Sequence, residues 1–334
     1  MADPTLEQWR ALYSTALEFR RQAPWQWLSN ERLFAIENPA GGEVGYCSVM
    51  GMGGQEFGLA MFIGPEGFEA YRKLMTDQVE PETLEASAGS RHLVVTFVDR
   101  EFLERRDLAV IRSLALHFRG RGAWPWFRSQ QRGYLPWYLD PEEAVFLTHA
   151  LGQAIEVARL VETDSIELPS GPDDGLIPTR CYRDGAWTEE WREPTRAAAL
   201  AKHEPPDEVR LHRLRRDKPR GADVWLLDFF LIPAGVGAAD ERPYYPCVML
   251  VADPQGIILT MEVLHALASP AERQNALITV LEQGAQLPHE ILVPRDEVGS
   301  LVAPVARHLG VPVKRGGTSV LRTLKRDFIA DLTM

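Results

Sequence analysis

The order of apolar runs constrains this chain more than any single residue does. Leu6, Trp9, Leu12, Tyr13, Ala16, Leu17 and Phe19 recur at helical spacing until Pro24, which predicts an amphipathic opening helix. Three short runs bounded by turn residues follow, LFAIEN (33–38), GYCSVMG (45–51) and EFGLAMFIG (56–64), and read as a three-stranded meander. A helix through Phe68, Tyr71 and Leu74, a buried-strand run HLVVTFVD (92–99) and a helix over 102–118 complete the order βββαβα. The same order returns later. VWLLDFFLIP (224–233), PCVMLVADP (246–254) and GIILTMEVL (256–264) read as strands, the last two joined by an Asp-Pro-Gln-Gly turn. A helix from Pro270, the strand EILVPRD (290–296), a helix ended by Gly310 and a short strand at 311–313 follow. The expected fold class is therefore α/β (α+β), two related βββαβα units arising by internal duplication.

Between the two repeats, Asp140, Pro141, Glu142 and Glu143 form a helix-start signature for a helix over 140–161. A polar loop at 170–175 leads into TRCYRDGAWTEEW, two strands around Asp184-Gly185, a pair suited to a type I′ hairpin turn. A boundary near residue 165 follows: an N-terminal α/β domain over 1–165, which includes an aromatic and arginine-rich segment at 118–138, and a β-hairpin plus C-terminal domain over 166–334.

Charge and composition exclude more than they assign. Thirty-six Lys and Arg against 47 Asp and Glu give a net charge of -11, so phosphate backbones and anionic membranes should repel the chain except at local basic patches. Asp3 and Glu7 stand where an export signal would need basic and then apolar residues, and the apolar stretch 224–239 is broken by Asp228 and Pro233. The expectation is a cytoplasmic protein with no membrane span. Cys47, Cys181 and Cys247 form no CxxC pair, and the eight histidines show no HxH, HExxH or HxxxH spacing, so no metal site, disulfide framework or His-led triad is expected. Gly51-Met52-Gly53-Gly54 precedes a strand rather than a helix, which makes it a hairpin turn and not a phosphate-cradling loop.

From Val224 to Val313 the chain resembles the ribonuclease H-like fold of integrases and nucleases. VWLLDFFLIP is similar to that fold's acidic first strand, PCVMLVADPQGIILTMEVL to its hairpin, and LPHEILVPRDEVGSLVAPVARHLGVPV to its fourth strand and helix. The resemblance implies ribonuclease H-like sheets flanked by helices, and the TRCYRDGAWTEEW hairpin (179–191) is expected as an insert between the two units. The chain as a whole is also similar to a family of uncharacterised bacterial proteins described as domains of unknown function. That similarity rests on GYCSVMGMGGQEFGLAMFIGPEGF, WPWFRSQQRGYLPWYLDPEEA and the PHEIL to LGVPV stretch. It implies a two-part architecture and carries over no site residues.

Three candidate sites remain. The 118–138 segment holds Trp124, Trp126 and Trp137 with Arg119, Arg128 and Arg132, and no Asp or Glu occurs between Asp107 and Asp140. This composition suits a groove for an anionic ligand, a single strand or a protein partner, and equally a loop pinned to the core by its aromatics. Trp124 and Trp137, bracketed by prolines, are expected inside, and Arg128 and Arg132 outside. A second basic run, Arg210 to Arg220, suits a solvated hairpin edge. Asp228 is the single polar residue in its strand, so its carboxylate must find donors, a cation or a proton. Under the ribonuclease H-like resemblance it would share Mg²⁺ or Mn²⁺ with Asp296, completed by Asp327 or Asp331 on a final helix. The simpler alternative is a carboxylate that reaches solvent at a sheet edge or pairs with an arginine.

Two functions compete on this evidence. One is a non-enzymatic binding or interaction module without cofactor, its partner an unknown protein or anionic ligand. The other is a divalent-metal phosphodiesterase or nucleic-acid-processing enzyme using Asp228 and Asp296.

Overall fold

The computed structural model describes residues 2–76, 84, 90–171, 175–197, 207–238 and 241–332. The protein is mixed α/β, with two mixed sheets flanked by helices, and it divides into two units: residues 1–132 with 136–197, and residues 133–135 with 198–334. The expected boundary near 165 thus moves to about 197. The reason is strand pairing, since the 177–192 hairpin hydrogen-bonds to the first sheet instead of standing as an insert between the units. Part of the polar loop expected at 170–175 lies outside the described residues.

The first sheet has seven strands: β1 (Phe34–Glu37), β2 (Val44–Met50), β3 (Gly58–Ile63), β4 (His92–Val98), β5 (Trp124–Gln130), β6 (Ile177–Arg183) and β7 (Ala186–Arg192), in the order β5-β4-β3-β2-β1-β6-β7. Both faces are covered, which is why the central strands are apolar without alternation. Phe34, Ile36, Cys47, Val49, Leu59, Met61, Leu93 and Val95 share a core with helices α1 (Leu6–Gln22) and α4 (Pro141–Glu162). Alternate residues Ala35, Tyr46, Ala60 and Phe62 meet Phe68 and Tyr71 of α2 (Gly64–Met75) on the opposite face. Helix α4 is long and apolar enough to cross a membrane by length and composition, yet Leu147, Ala150, Leu151 and Ala154 lie fully inside the core of this unit. Its N-terminus carries the expected capping box, with Asp140 accepting from Glu143 N at 2.8 Å. The β6–β7 turn has Asp184 and Gly185 at φ 51° and 84°, as a type I′ turn requires.

The second sheet has five strands: β8 (Val224–Leu231), β9 (Cys247–Ala252), β10 (Ile258–Leu264), β11 (Glu290–Val293) and β12 (Val313–Arg315), in the order β10-β9-β8-β11-β12. Strands β8, β9 and β10 form an antiparallel meander, and β11 and β12 run parallel to β8. Helices α5 (Glu208–Asp217), α6 (Pro270–Gln283) and α7 (Asp296–Leu309) build the core on one face, and α8 (Thr318–Leu332) places Leu321 on the other beside Leu226, Phe230 and Leu250. Gly310 ends α7 at φ 70°, the left-handed cap that the sequence predicts.

The two units share their element order but not their strand order. In the first, β4 lies antiparallel to β3 and extends the meander, whereas in the second β11 crosses over to lie parallel to β8. The crossover needs a covering helix between the strands, and α6 supplies it for β11. The expectation of matching sheets therefore fails at the fourth strand. The 102–118 helix also shortens to α3 (Arg105–Ser113), and the basic run lies on helix α5 as far as Arg216, with Lys218 and Arg220 just beyond it, rather than on a hairpin edge.

Candidate functional site

The aromatic and arginine-rich segment is a strand. Strand β5 pairs with β4 from His92↔Gln130 to Val98↔Trp124, so Trp124, Trp126 and Arg128 share one face while Phe127 turns to the other and meets Tyr13 edge-on at 5.0 Å. Arg128, expected outside, is only 1% exposed. Its Nη1 and Nη2 donate to the two carboxylate oxygens of Asp107 at 2.9 and 2.8 Å, Nη2 also to Glu104 Oε1 at 3.1 Å, and Nη1 to the carbonyl of Phe127 at 2.7 Å. The guanidinium lies 4.6 Å from the Trp126 ring centroid and 4.7 Å from that of Tyr138, whose hydroxyl donates to Glu104. Burial works against its charge, and the hydrogen bonds and attraction of Asp107 and Glu104 outweigh that, raising its pKa further.

This closure removes Arg128 from any ligand surface. Trp124, Trp126 and Trp137 are each half-buried, Trp124 beside Phe118 at 5.2 Å. Trp137 exchanges backbone hydrogen bonds with Ser129 at 2.8 and 2.9 Å and so covers the outer edge of β5. Arg119 and Arg132 are exposed, but they flank opposite ends of the seven-residue β5, a span of roughly 23 Å at ~3.3 Å per residue. The expected single groove is thus two separate cations around a structural strand.

Asp228 lies on the α8 face of β8, 6% exposed among Leu226, Phe230 and Leu250. Arg295, immediately after β11, approaches its Oδ1 at 3.1 Å and also donates to the carbonyl of Phe229, while Phe229 N donates to the same carboxylate at 2.8 Å. Asp296 opens α7 with its side chain 69% exposed, 3.5 Å from Arg315. Asp327 pairs with Arg326 at 3.0 Å, and Asp331 is exposed. Among the described residues no group of three His, Cys, Asp or Glu side chains is arranged to hold a metal ion. The arginine reading of Asp228 is the one that the geometry favours.

The basic run also finds partners. Arg210 binds Glu282 through two hydrogen bonds of 2.9 and 2.6 Å and reaches Thr279 at 3.0 Å, while Lys218 donates to the carbonyls of Glu282 and Gly284 at the C-terminal end of α6. These contacts fasten α5 to α6. The three cysteines are buried and unbridged, and burial pushes the Cys47 thiol well above its ordinary range.

One surface escaped the sequence reading. Strand β10 ends the second sheet, with no strand on its outer side among the described residues, and Ile257, Ile258, Leu259 and Val263 are exposed, Val263 by 66%. The direction of its backbone follows from its neighbours. Ile232 N donates to Pro246 O on the β8 side and Tyr245 N to Gly133 O on the other, so alternate residues of β9 address alternate strands. Cys247, Met249 and Val251 then bond toward Leu264, Glu262 and Thr260 of β10. The N–H and C=O groups of Met261 and Val263 consequently point out of the sheet. The signal in the sequence was an eight-residue apolar run, IILTMEVL, with neither Lys nor Pro, which burial would explain equally well.

Comparison with known proteins gives two family matches. Residues 9–177 match the model described as "Domain of unknown function (DUF7309)", and residues 210–329 match "Domain of unknown function (DUF6930)". No curated protein and no solved structure matches the chain. The two matches fall on the two units.

Proposed function

Because the chain belongs to the family described as "Domain of unknown function (DUF7309)", membership brings no activity with it, and we propose from the geometry that the protein is a non-enzymatic interaction module whose second unit takes a partner by adding a strand to β10. The observation that carries this reading is the outer edge of β10, where backbone groups that pair with no strand among the described residues coincide with exposed apolar side chains. A protein partner fits better than an anionic ligand, since the exposed arginines of the 118–138 segment are dispersed and Arg128 is enclosed. Nucleic acid fits less well still, given the net charge of -11. Three unbridged, buried thiols suit a reducing compartment, the cytoplasm.

The strand order of the second unit supports the ribonuclease H-like reading of that half, with Asp228 on its first strand. Arg295 occupies the charge of that carboxylate, which weighs against a shared Mg²⁺ or Mn²⁺ and against phosphodiester chemistry. The test uses a peptide with the sequence of residues 257–264 flanked by lysines, titrated into isotope-labelled protein. The outward amides of Met261 and Val263 should shift more than the inward amides of Thr260, Glu262 and Leu264. A titration that moves neither set overturns strand addition, and saturable micromolar Mn²⁺ binding that disappears in Asp228→Asn overturns the non-enzymatic reading.

A further inference from the structure

The four outer edges of the two sheets are not treated alike. Strand β5 carries Pro125 and is bridged by Trp137. Strand β7 carries Glu189, Glu190 and Arg192. Strand β12 has three residues, two of them Lys314 and Arg315. Proline, charge and shortness are the devices that keep a sheet edge from pairing with another chain. Strand β10 has seven residues, one charge at Glu262 and a bulge confined to its first turn, between Ile258 and Thr260. From Thr260 to Leu264 it is a regular strand whose outer edge pairs with no strand among the described residues.

The identity of the added strand can be read from β10 itself. We infer that the occupant is a second copy of this chain, the two β10 strands pairing antiparallel about a two-fold axis at Met261. This inference rests on the strand-addition reading above and names its partner. Met261 is the midpoint of Ile258–Leu264, so centring there overlaps the whole of β10, with Leu259 at the bulge included. Its backbone faces outward, as a hydrogen-bonded pair on the axis requires. The register sets exposed Val263 against exposed Leu259, and Glu262 against Thr260. A register centred on Glu262 would place two carboxylates directly opposite each other, which destabilises a strand pair. Centring on Val263 would leave only residues 262–264 paired within the strand. An isologous contact of this kind is self-complementary and closes as a dimer. One strand pair buries less than the roughly 1,200–2,000 Å² of a stable interface, so the dimer should dissociate on dilution.

Sedimentation velocity of the full chain over a concentration series tests the association. The wild type should pass from monomer to dimer, Val263→Lys should weaken dimerisation by about tenfold or more, and Val209→Lys, an exposed apolar residue on α5, should leave it unchanged. Oxidation tests the register. In a hydrogen-bonded pair the Cα atoms lie ~5.5 Å apart, within disulfide reach, so Met261→Cys should cross-link two chains while Val263→Cys should not. The buried native cysteines supply little background. A chain that stays monomeric throughout, a dimer indifferent to Val263→Lys, or cross-linking of Val263→Cys in place of Met261→Cys would overturn the inference. A monomeric chain whose Met261 and Val263 amides still respond to the lysine-flanked peptide would overturn the dimer alone and leave strand addition standing.

Discussion

Each unit buries one charged side chain in a strand of its sheet, and the two are compensated differently. Arg128 in β5 meets Asp107 through both oxygens, Glu104, a carbonyl and two aromatic rings, and its side chain is almost completely enclosed. Asp228 in β8 has its own strand's backbone on one side and Arg295 on the other, an arginine whose side chain is still 36% exposed. A buried cation inside a closed set of acceptors has no second state available to it. A buried anion facing a half-exposed arginine is compensated by a group that water also reaches. The comparison separates a charge closed off from solvent from one whose partner is still half in solvent.

Breaking the first cage should cost the most. Removing one partner of a buried ion pair costs about 3–5 kcal/mol, because the other charge stays behind without compensation. Arg128→Ala would strand Asp107, whose side chain is only 11% exposed, and also empties the space between Trp126 and Tyr138. Against a typical total stability of roughly 5–15 kcal/mol, much of the margin of the first unit should disappear. Denaturant unfolding should show this as a large fall in midpoint for Arg128→Ala and almost none for exposed Arg132→Glu. Equal midpoints for the two would mean that the cage is worth no more than a surface charge.

How far each charge was legible follows from its neighbours in sequence. Asp228 stands alone in an apolar strand, so the need for a partner could be stated from the sequence, and an arginine was one of the partners named. Which arginine was hidden, because Arg295 lies 67 positions later, past the end of a strand that arrives through a parallel crossover. Arg128 gave the opposite impression. It sits among other arginines in a stretch without Asp or Glu, which suggested an exposed basic patch, while its partners Glu104 and Asp107 belong to the preceding helix and its cap. The meanders, the Asp140 cap, the Asp184-Gly185 turn and the Gly310 cap were readable because each is set by residues within a few positions. The side on which a fourth strand docks is a long-range choice. That is where the expectation of two matching sheets failed, and it also decided which strand was left at an open edge.

A second experiment sharpens the comparison inside the second unit. Arg295→Ala removes the guanidinium beside the enclosed Asp228 carboxylate and should cost about 3–5 kcal/mol. Asp228→Ala leaves Arg295 free to rehydrate and should cost less, about 1–3 kcal/mol, chiefly for lost hydrogen bonds. The asymmetry, measured by thermal unfolding of the two single variants, is the diagnostic quantity. If Asp228→Ala proves the more damaging, the arginine is held as tightly as Arg128, and the distinction between the two centres disappears.

The smallest effect concerns the buried acid of the first unit. Glu143, 4% exposed, accepts from the Ser129 hydroxyl at 2.8 Å and from Asp140 N at 3.1 Å. Burial raises its pKa above the ordinary 4.5, and the nearby Asp140 charge pushes the same way, while the two hydrogen bonds only partly oppose them. A carboxyl whose pKa is raised by folding favours the folded state in its protonated form. Its contribution is complete below pH 4.5 and is lost as the pH climbs through the raised folded value. Glu143→Gln fixes a neutral acceptor at the same place, so its stability at neutral pH should lie within about 1 kcal/mol of the wild type, on the stable side if the pair to Ser129 is kept. Subtracting the two stability curves from pH 4 to 8 cancels the opposite slopes of salt-bridged acids such as Glu37, whose pKa is lowered by Arg192 and Arg183 despite its partial burial. The difference should grow in favour of the glutamine variant as pH rises. A flat difference would mean that Glu143 titrates alike folded and unfolded, and that its two hydrogen bonds compensate its charge as fully as Asp107 and Glu104 compensate Arg128.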